Sequence, residues 1–274
     1  MLKTTHILIG IVIVLVIAGC SSMKLLDSNK EFVSLMQNSA EAKRLHDTGI
    51  IDPVAYESIK EELKAAFATN GDRAVKAAKE AKTDQSKASL YNVAVRSYLK
   101  SGGVRDQQIL TTASNGIDAC SRLKDLDALP TTCGYFHIVI PQAVSNEWQR
   151  KVDIIKRKQN NLANGERLVA EDGKILIAAA RGYLAQLQAL EDAKPKIDFA
   201  SAGEHLETSF RTQQDILFCN SQSTLISLRL VISTGDDWNK EQEEGQAREL
   251  MDSQKARLKQ RRPGGFPADT CMNL

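Results

Sequence analysis

The chain has 274 residues, a formal net charge of +2 and a hydrophobic fraction of 42%. That length suits one large domain or two small ones, and apolar residues recurring along nearly all of it exclude a disordered polymer. A charge this balanced gives no global field for nucleic acid, so no nucleic-acid partner is expected. Aromatic residues make up only 5%, so the core must be aliphatic and rich in alanine.

The first 22 residues read in three parts. Lys3 and the terminal amine are positive, Ile7 to Ile17 is apolar apart from Gly10, and Ile17-Ala18-Gly19-Cys20 follows. An aliphatic residue, two small residues and a cysteine in that order resemble the lipobox of bacterial lipoproteins. The resemblance implies cleavage before Cys20, lipidation of its thiol and attachment to a membrane through the acyl chains. Residues 1–19 are then a cleaved signal peptide and 20–27 a lipidated tether. Loss of Lys3 lowers the net charge to +1. An ordinary cleaved signal and an uncleaved signal anchor are the alternatives. The apolar stretch of about 13 residues is short of the ~20 that a spanning helix needs, which disfavours the anchor. Two or three acyl chains make release negligible, since each buried methylene adds ~0.8 kcal/mol. Ser21 and Ser22 follow the cysteine, with no aspartate. In a Gram-negative cell this resembles an outer-membrane lipoprotein facing the periplasm.

Helical spacing then dominates. Residues 28–47 predict a first helix with Phe32, Leu35, Met36 and Leu45 apolar. Gly49-Ile50-Ile51 leads into Asp52-Pro53, an N-cap followed by proline at the first helical position. A second helix is expected to about Ala68, with Ile59, Leu63 and Phe67 on one face. Asn70-Gly71-Asp72 is expected to end it and to start a short helix to about residue 81. Within residues 40–64, Gly49, Ile50, Ile51, Tyr56, Lys60 and Leu63 resemble the SHOCT motif, a short helical element of many bacterial proteins. The physical reading is a helix, a glycine turn and a second helix whose aromatic packs back on the two isoleucines, and the resemblance implies a role in docking or oligomerisation. Asp52 departs from the usual Thr or Ser cap.

Further helices are expected over 84–100 and 105–126. Tyr135–Ile140 is β-branched and apolar, and Pro141 favours a buried turn entering a helix over a short strand. Val144, Trp148, Val152 and Ile155 share the face of that helix. Residues 167–178 carry a hairpin signal at Asp172-Gly173, but their flanks favour a helix, continued by Tyr183, Leu184, Leu187 and Leu190. A long buried helix is expected over 202–233, and a charged last one over 237–262 with Trp238 as an anchor and Asp236-Asp237 as its cap. The fold class is therefore all-α, a helical bundle or stacked helical hairpins behind a lipidated tether. Residues 28–68 form an N-terminal hairpin, 69–262 the main domain and 263–274 a C-terminal tail.

Four cysteines follow Cys20: Cys120, Cys133, Cys219 and Cys271. In an exported chain they read as two disulfides, with three possible pairings. Cys120–Cys133 across a turn-rich stretch, with Cys219–Cys271 pinning the tail, is the favoured set. A zinc site competes, but the chain has no Cys-x-x-Cys and no Cys/His cluster.

Neither a cofactor nor a metal is expected. His46, His137 and His205 are far apart, and none stands in His-Glu-x-x-His. The chain has no Gly-x-Ser-x-Gly, P-loop or Gly-x-Gly-x-x-Gly. Arg257, Lys259, Arg261 and Arg262 form the densest basic cluster. It suits lipid phosphates or an acidic partner, or else the negative end of a helix. These features predict a non-enzymatic scaffold or assembly factor of a cell-envelope complex, with protein partners and room for self-association. A periplasmic ligand binder or peptidoglycan enzyme is one alternative; a surface exclusion or immunity protein is another.

Overall fold

The computed structural model describes residues 2–102, 105–123 and 129–234, with short helical stretches at 245–246, 248–250 and 252–253 and at residue 256; side chains are described from Lys24 onward. The fold is all-α. The helices are α1 (Leu2–Asp47), α2 (Pro53–Glu80), α3 (Asp84–Ser101), α4 (Asp106–Ser121), α5 (Pro130–Asn160), α6 (Ala170–Ala193), α7 (Phe199–Ala202) and α8 (Glu204–Thr234). No strand occurs among the described residues. Contacts divide the chain into two units, Met1–Ile140 and Pro141–Leu274, with the division inside α5. Residues 68 and 69, where the sequence placed a boundary, both lie within α2.

Unit 1 is built from antiparallel hairpins. Short turns make successive helices neighbours, and α2 packs on both α1 and α3. Pairs along α1 and α2 fix the direction: Lys24 with Glu80, Glu31 with Arg73 at 2.9 Å, and Phe32 edge-on to Phe67 at 5.8 Å. The core is as aliphatic and small as the composition requires. Ala74, Ala78, Ala88, Ala94 and Ala113 are fully buried between the helices, with Leu90, Val95, Phe136 and Val139 filling the larger spaces. Each large apolar side chain so buried contributes roughly 1.5–3 kcal/mol.

Two expectations fail in unit 1, for one reason. Asn70-Gly71-Asp72 does not end a helix; α2 runs through it. Gly71 is a seat for an aromatic ring, because a Cβ there would lie 2.5 Å from Tyr98 Cε1. Asn70 is buried and donates to the Ser28 carbonyl and to Ser97 Oγ, while Tyr98 donates to Asp72 Oδ1 at 2.8 Å. Likewise, Tyr135–Ile140 is neither strand nor turn but the first half of α5. Phe136, Ile138 and Val139 are buried there, and the Phe136 ring lies where a Gly116 Cβ would be, 2.4 Å away. Pro141 removes one helical hydrogen bond without ending α5. In both places tertiary packing overrides the local signal.

The Cys120–Cys133 disulfide is present, with Cα atoms 5.9 Å apart, and joins the end of α4 to the start of α5. Helix α4 stops at Ser121 rather than near 126.

Unit 2 contains the rest of α5 with α6, α7 and α8, and α6 packs along α8. The hairpin alternative at Asp172-Gly173 is excluded, since α6 starts at Ala170 and carries both residues buried. The Asp172 carboxylate accepts from the Val169 N–H at 3.0 Å and from Lys158 Nζ at 2.8 Å, so it caps the helix and holds it to α5. Gly182 seats Trp148, as Gly71 seats Tyr98. The buried long helix is α8, as expected from its apolar face, with Leu206, Leu217 and Leu228 inside. The break at Gly203 sets off α7 as a single turn. Cys219 is disulfide-bonded; Cys271, its expected partner, lies outside the described residues, as do Trp238, Asp236-Asp237 and the cluster Arg257, Lys259, Arg261 and Arg262.

Candidate functional site

The tip joining α1 to α2 is locked from both sides. Gly49 takes φ +71°, in the left-handed region where a side chain is strained. Its N–H donates to the His46 carbonyl and the Ile50 N–H donates to the Leu45 carbonyl, both at 2.9 Å. That pair of bonds is a Schellman cap, which satisfies the last carbonyls of α1. On the other side Asp52 accepts from the Ala55 N–H at 2.8 Å, and Pro53 opens α2. Every backbone feature of the turn is thus prescribed by Gly49, Asp52 and Pro53.

This rigid turn displays apolar side chains to solvent. Ile50 is 66% exposed and Val54 81% exposed, with Ile51 partly covered. The aromatic of the motif behaves differently from the expectation. Tyr56 stacks on His46, with ring centroids 4.3 Å apart and planes 22° apart. The ring therefore braces α1 against α2, and Ile50 is left outward. Val54 carried no signal as a site residue. Its position one residue after the Asp-Pro cap, in a first turn with little of α1 beside it, is the only hint the sequence holds.

The cations around the tip are each paired with a carboxylate. Lys43 pairs with Asp47 at 2.7 Å, Arg44 with Glu41 at 2.6 Å and Lys60 with Glu57 at 2.9 Å. The hydrogen bond from Lys43 holds Asp47 below the ordinary carboxylate range, and the same bond raises Lys43. Exposed pairs of this kind add little stability. The pairs cancel, and Asp52, exposed in the turn and bound only to the Ala55 N–H, leaves one negative charge beside the apolar side chains that the tip offers to a partner. Ile50 and Val54 are about 35 Å along α1 from Lys24, at 1.5 Å per residue.

At the same end of unit 1 an open cleft of about 520 Å³ is lined by Glu61, Lys64, Ala65, Ala68, Ser101, Gly102, Arg105 and Gln108. Lys64 pairs with Glu61 at 2.6 Å, and the Arg105 guanidinium lies 5.9 Å from the centre of the Tyr98 ring. Ser101 Oγ donates to the Tyr98 carbonyl at 2.8 Å and to the Gly102 carbonyl at 3.3 Å. The cleft has the size for a small molecule.

The histidines lie on separate elements. His46 is in the tip, His137 is half-buried on α5 in unit 1, and His205 is exposed in the first turn of α8 in unit 2. Among the described residues no group of three His, Cys, Asp or Glu side chains is placed to hold a metal ion. Also among the described residues, no helix is long and apolar enough to cross a membrane. Cys20 is on α1, with its side chain outside the described residues. No family model matches the chain, and no curated protein or solved structure is significantly similar to it.

Proposed function

We propose that the chain is a lipoprotein of the cell envelope, anchored through Cys20 and facing the periplasm from the outer membrane, where it acts as a non-enzymatic scaffold for a larger complex. The observation that carries this reading is the capped, exposed apolar tip, Ile50 and Val54. Other aliphatic side chains are exposed on the chain, Ile226 at 67% among them, but Ile50 and Val54 are held together on a turn capped from both sides, as a docking hairpin requires. The occupant is an envelope protein with an apolar groove, because the side chains the tip holds outward, Ile50 and Val54, are aliphatic and the cations around them are already paired. The lipobox resemblance supports the anchor, and the SHOCT resemblance supports the role of the tip.

The test is a photo-crosslinking residue at Val54 in the full chain in cells, with Gln37, an exposed polar position of α1, as control. A discrete adduct with an envelope protein from position 54 alone, weakened by Ile50→Ser, is expected. Identical labelling from both positions, or none, overturns the scaffold. Radiolabelled palmitate in the native chain but not in Cys20→Ser tests the anchor separately. A second reading, a binder of small anionic ligands, draws on the cleft beside Lys64 and Arg105. Saturable binding that is lost in Arg105→Gln would favour it.

A further inference from the structure

The opposite end of unit 1 carries a second exposed feature, and its reading rests on the lipid anchor proposed above. α1 enters the bundle at Lys24, whose ammonium pairs with Glu80 in the last turn of α2. Cys20 stands four residues earlier. The helix that α1 forms there spans about 6 Å over four residues, and even a fully extended backbone covers at most about 14 Å. A lipid on Cys20 therefore leaves no slack: this end of the bundle sits at the headgroup layer.

The charge at that end is uneven. Lys76 and Lys79 in the last turns of α2, and Lys82 in the link to α3, are all exposed. Of the carboxylates at that end, Asp27 on α1 is exposed and forms no ion pair among the described residues, while the others are engaged. Glu80 holds Lys24, and Asp84 takes Arg122 at 3.2 Å and Lys87 at 3.6 Å. Asp118 is bound by Arg122. Among the described residues Lys79 and Lys82 form no ion pair, and Lys76 faces only Glu80, one turn away. The dipole of α2 favours a cation in its last turn, but it does not account for Lys82, which lies beyond the helix.

We propose that Lys76, Lys79 and Lys82 form a face that rests on anionic phospholipid headgroups beside the lipid anchor. The attraction of a lysine to such a surface decays within a Debye length of about 8–10 Å; with α1 helical back to Cys20 the span of about 6 Å keeps Lys79 and Lys82 within that reach, and Lys76, one turn further along α2, lies at its edge. The base then orients the bundle, and α1 carries the apolar tip away from the bilayer. Each lysine contributes a factor of about five in surface association, so the three together contribute on the order of a hundred-fold.

The test uses the full lipoprotein, purified from membranes and reconstituted into vesicles. A fluorophore is placed on Gln85→Cys, at the start of α3 beside the lysines, and on Val54→Cys as the distal control. Quenching by headgroup-labelled lipid is read in vesicles of phosphatidylcholine with and without phosphatidylglycerol. Quenching at position 85 but not at 54, dependent on phosphatidylglycerol and lost in raised salt or in a triple Lys→Gln variant of 76, 79 and 82, is expected. Mass spectrometry of the N-terminal peptide establishes whether Cys20 carries lipid. Lipid present with position 85 unquenched overturns the headgroup contact alone, while Cys20 free of lipid overturns both the contact and the anchor.

Discussion

Gly116→Ala separates helix propensity from packing. A glycine inside α4 costs about 1 kcal/mol relative to alanine, so propensity alone makes the substitution stabilising by that amount. The structure reverses the sign. A Cβ at 116 would meet three carbons of the Phe136 ring at 2.4, 2.5 and 2.7 Å, and that ring is wholly buried. Overpacking of a close-packed site costs about 1–3 kcal/mol. With three contacts well inside van der Waals distance and no solvent to yield into, the upper figure applies, and the net effect is about 2 kcal/mol destabilising. In a Phe136→Leu background the clash is gone, and Gly116→Ala should gain about 1 kcal/mol. The coupling between the two sites is then about 3 kcal/mol, near the top of the range for contacting residues. Native-state hydrogen exchange of peptides covering 106–121, followed against urea, reads this locally even where the two units unfold separately. Stabilisation by Gly116→Ala in the wild-type background refutes the ring seat.

Four further outcomes follow from the same geometry. Asp52→Ala removes the cap on Ala55 and should cost about 1 kcal/mol, and Gly49→Ala forces a side chain into the left-handed region for about 1–2 kcal/mol; both are measurable as shifts in urea midpoint at constant slope. Reducing the Cys120–Cys133 bridge, which closes a sequence separation of 13 residues, should cost about 3 kcal/mol in the chain-entropy model, seen as a loss of melting temperature that Cys120→Ser reproduces; an unchanged melting temperature contradicts the structural role. Burial raises the phenols of Tyr98, Tyr183, Tyr135 and Tyr91 above their ordinary range, with the hydrogen bond to Asp72 adding to the effect at Tyr98. Groups raised in the folded state stabilise it below the unfolded phenol value of about 10 and lose that contribution as pH climbs through the folded values. Ultraviolet titration should therefore show these four ionising late in the native protein and normally in guanidinium, with stability falling only above about pH 10; early ionisation of all five tyrosines would contradict their burial.

What the sequence determined by itself is local. The cap at Asp52-Pro53, the left-handed Gly49, the helical period of α3, α6 and α8, and the bridge over a short loop all depend on groups a few residues apart, and one chain segment carries the whole signal. The apolar tip was half legible: Ile50 and Tyr56 stand in a recognisable pattern, but the stacking of Tyr56 on His46, and with it the exposure of Ile50, depends on how two helices lie together. Only the tertiary structure decided that α2 runs through Asn70-Gly71-Asp72, that Tyr135–Ile140 is helical, and that Gly71, Gly116 and Gly182 are seats for Tyr98, Phe136 and Trp148. Each of those glycines reads locally as a weak point in a helix. Each is required because a ring from another helix, 20 or more residues away in the chain, occupies the volume its missing side chain leaves, and no local spacing rule records which ring that is.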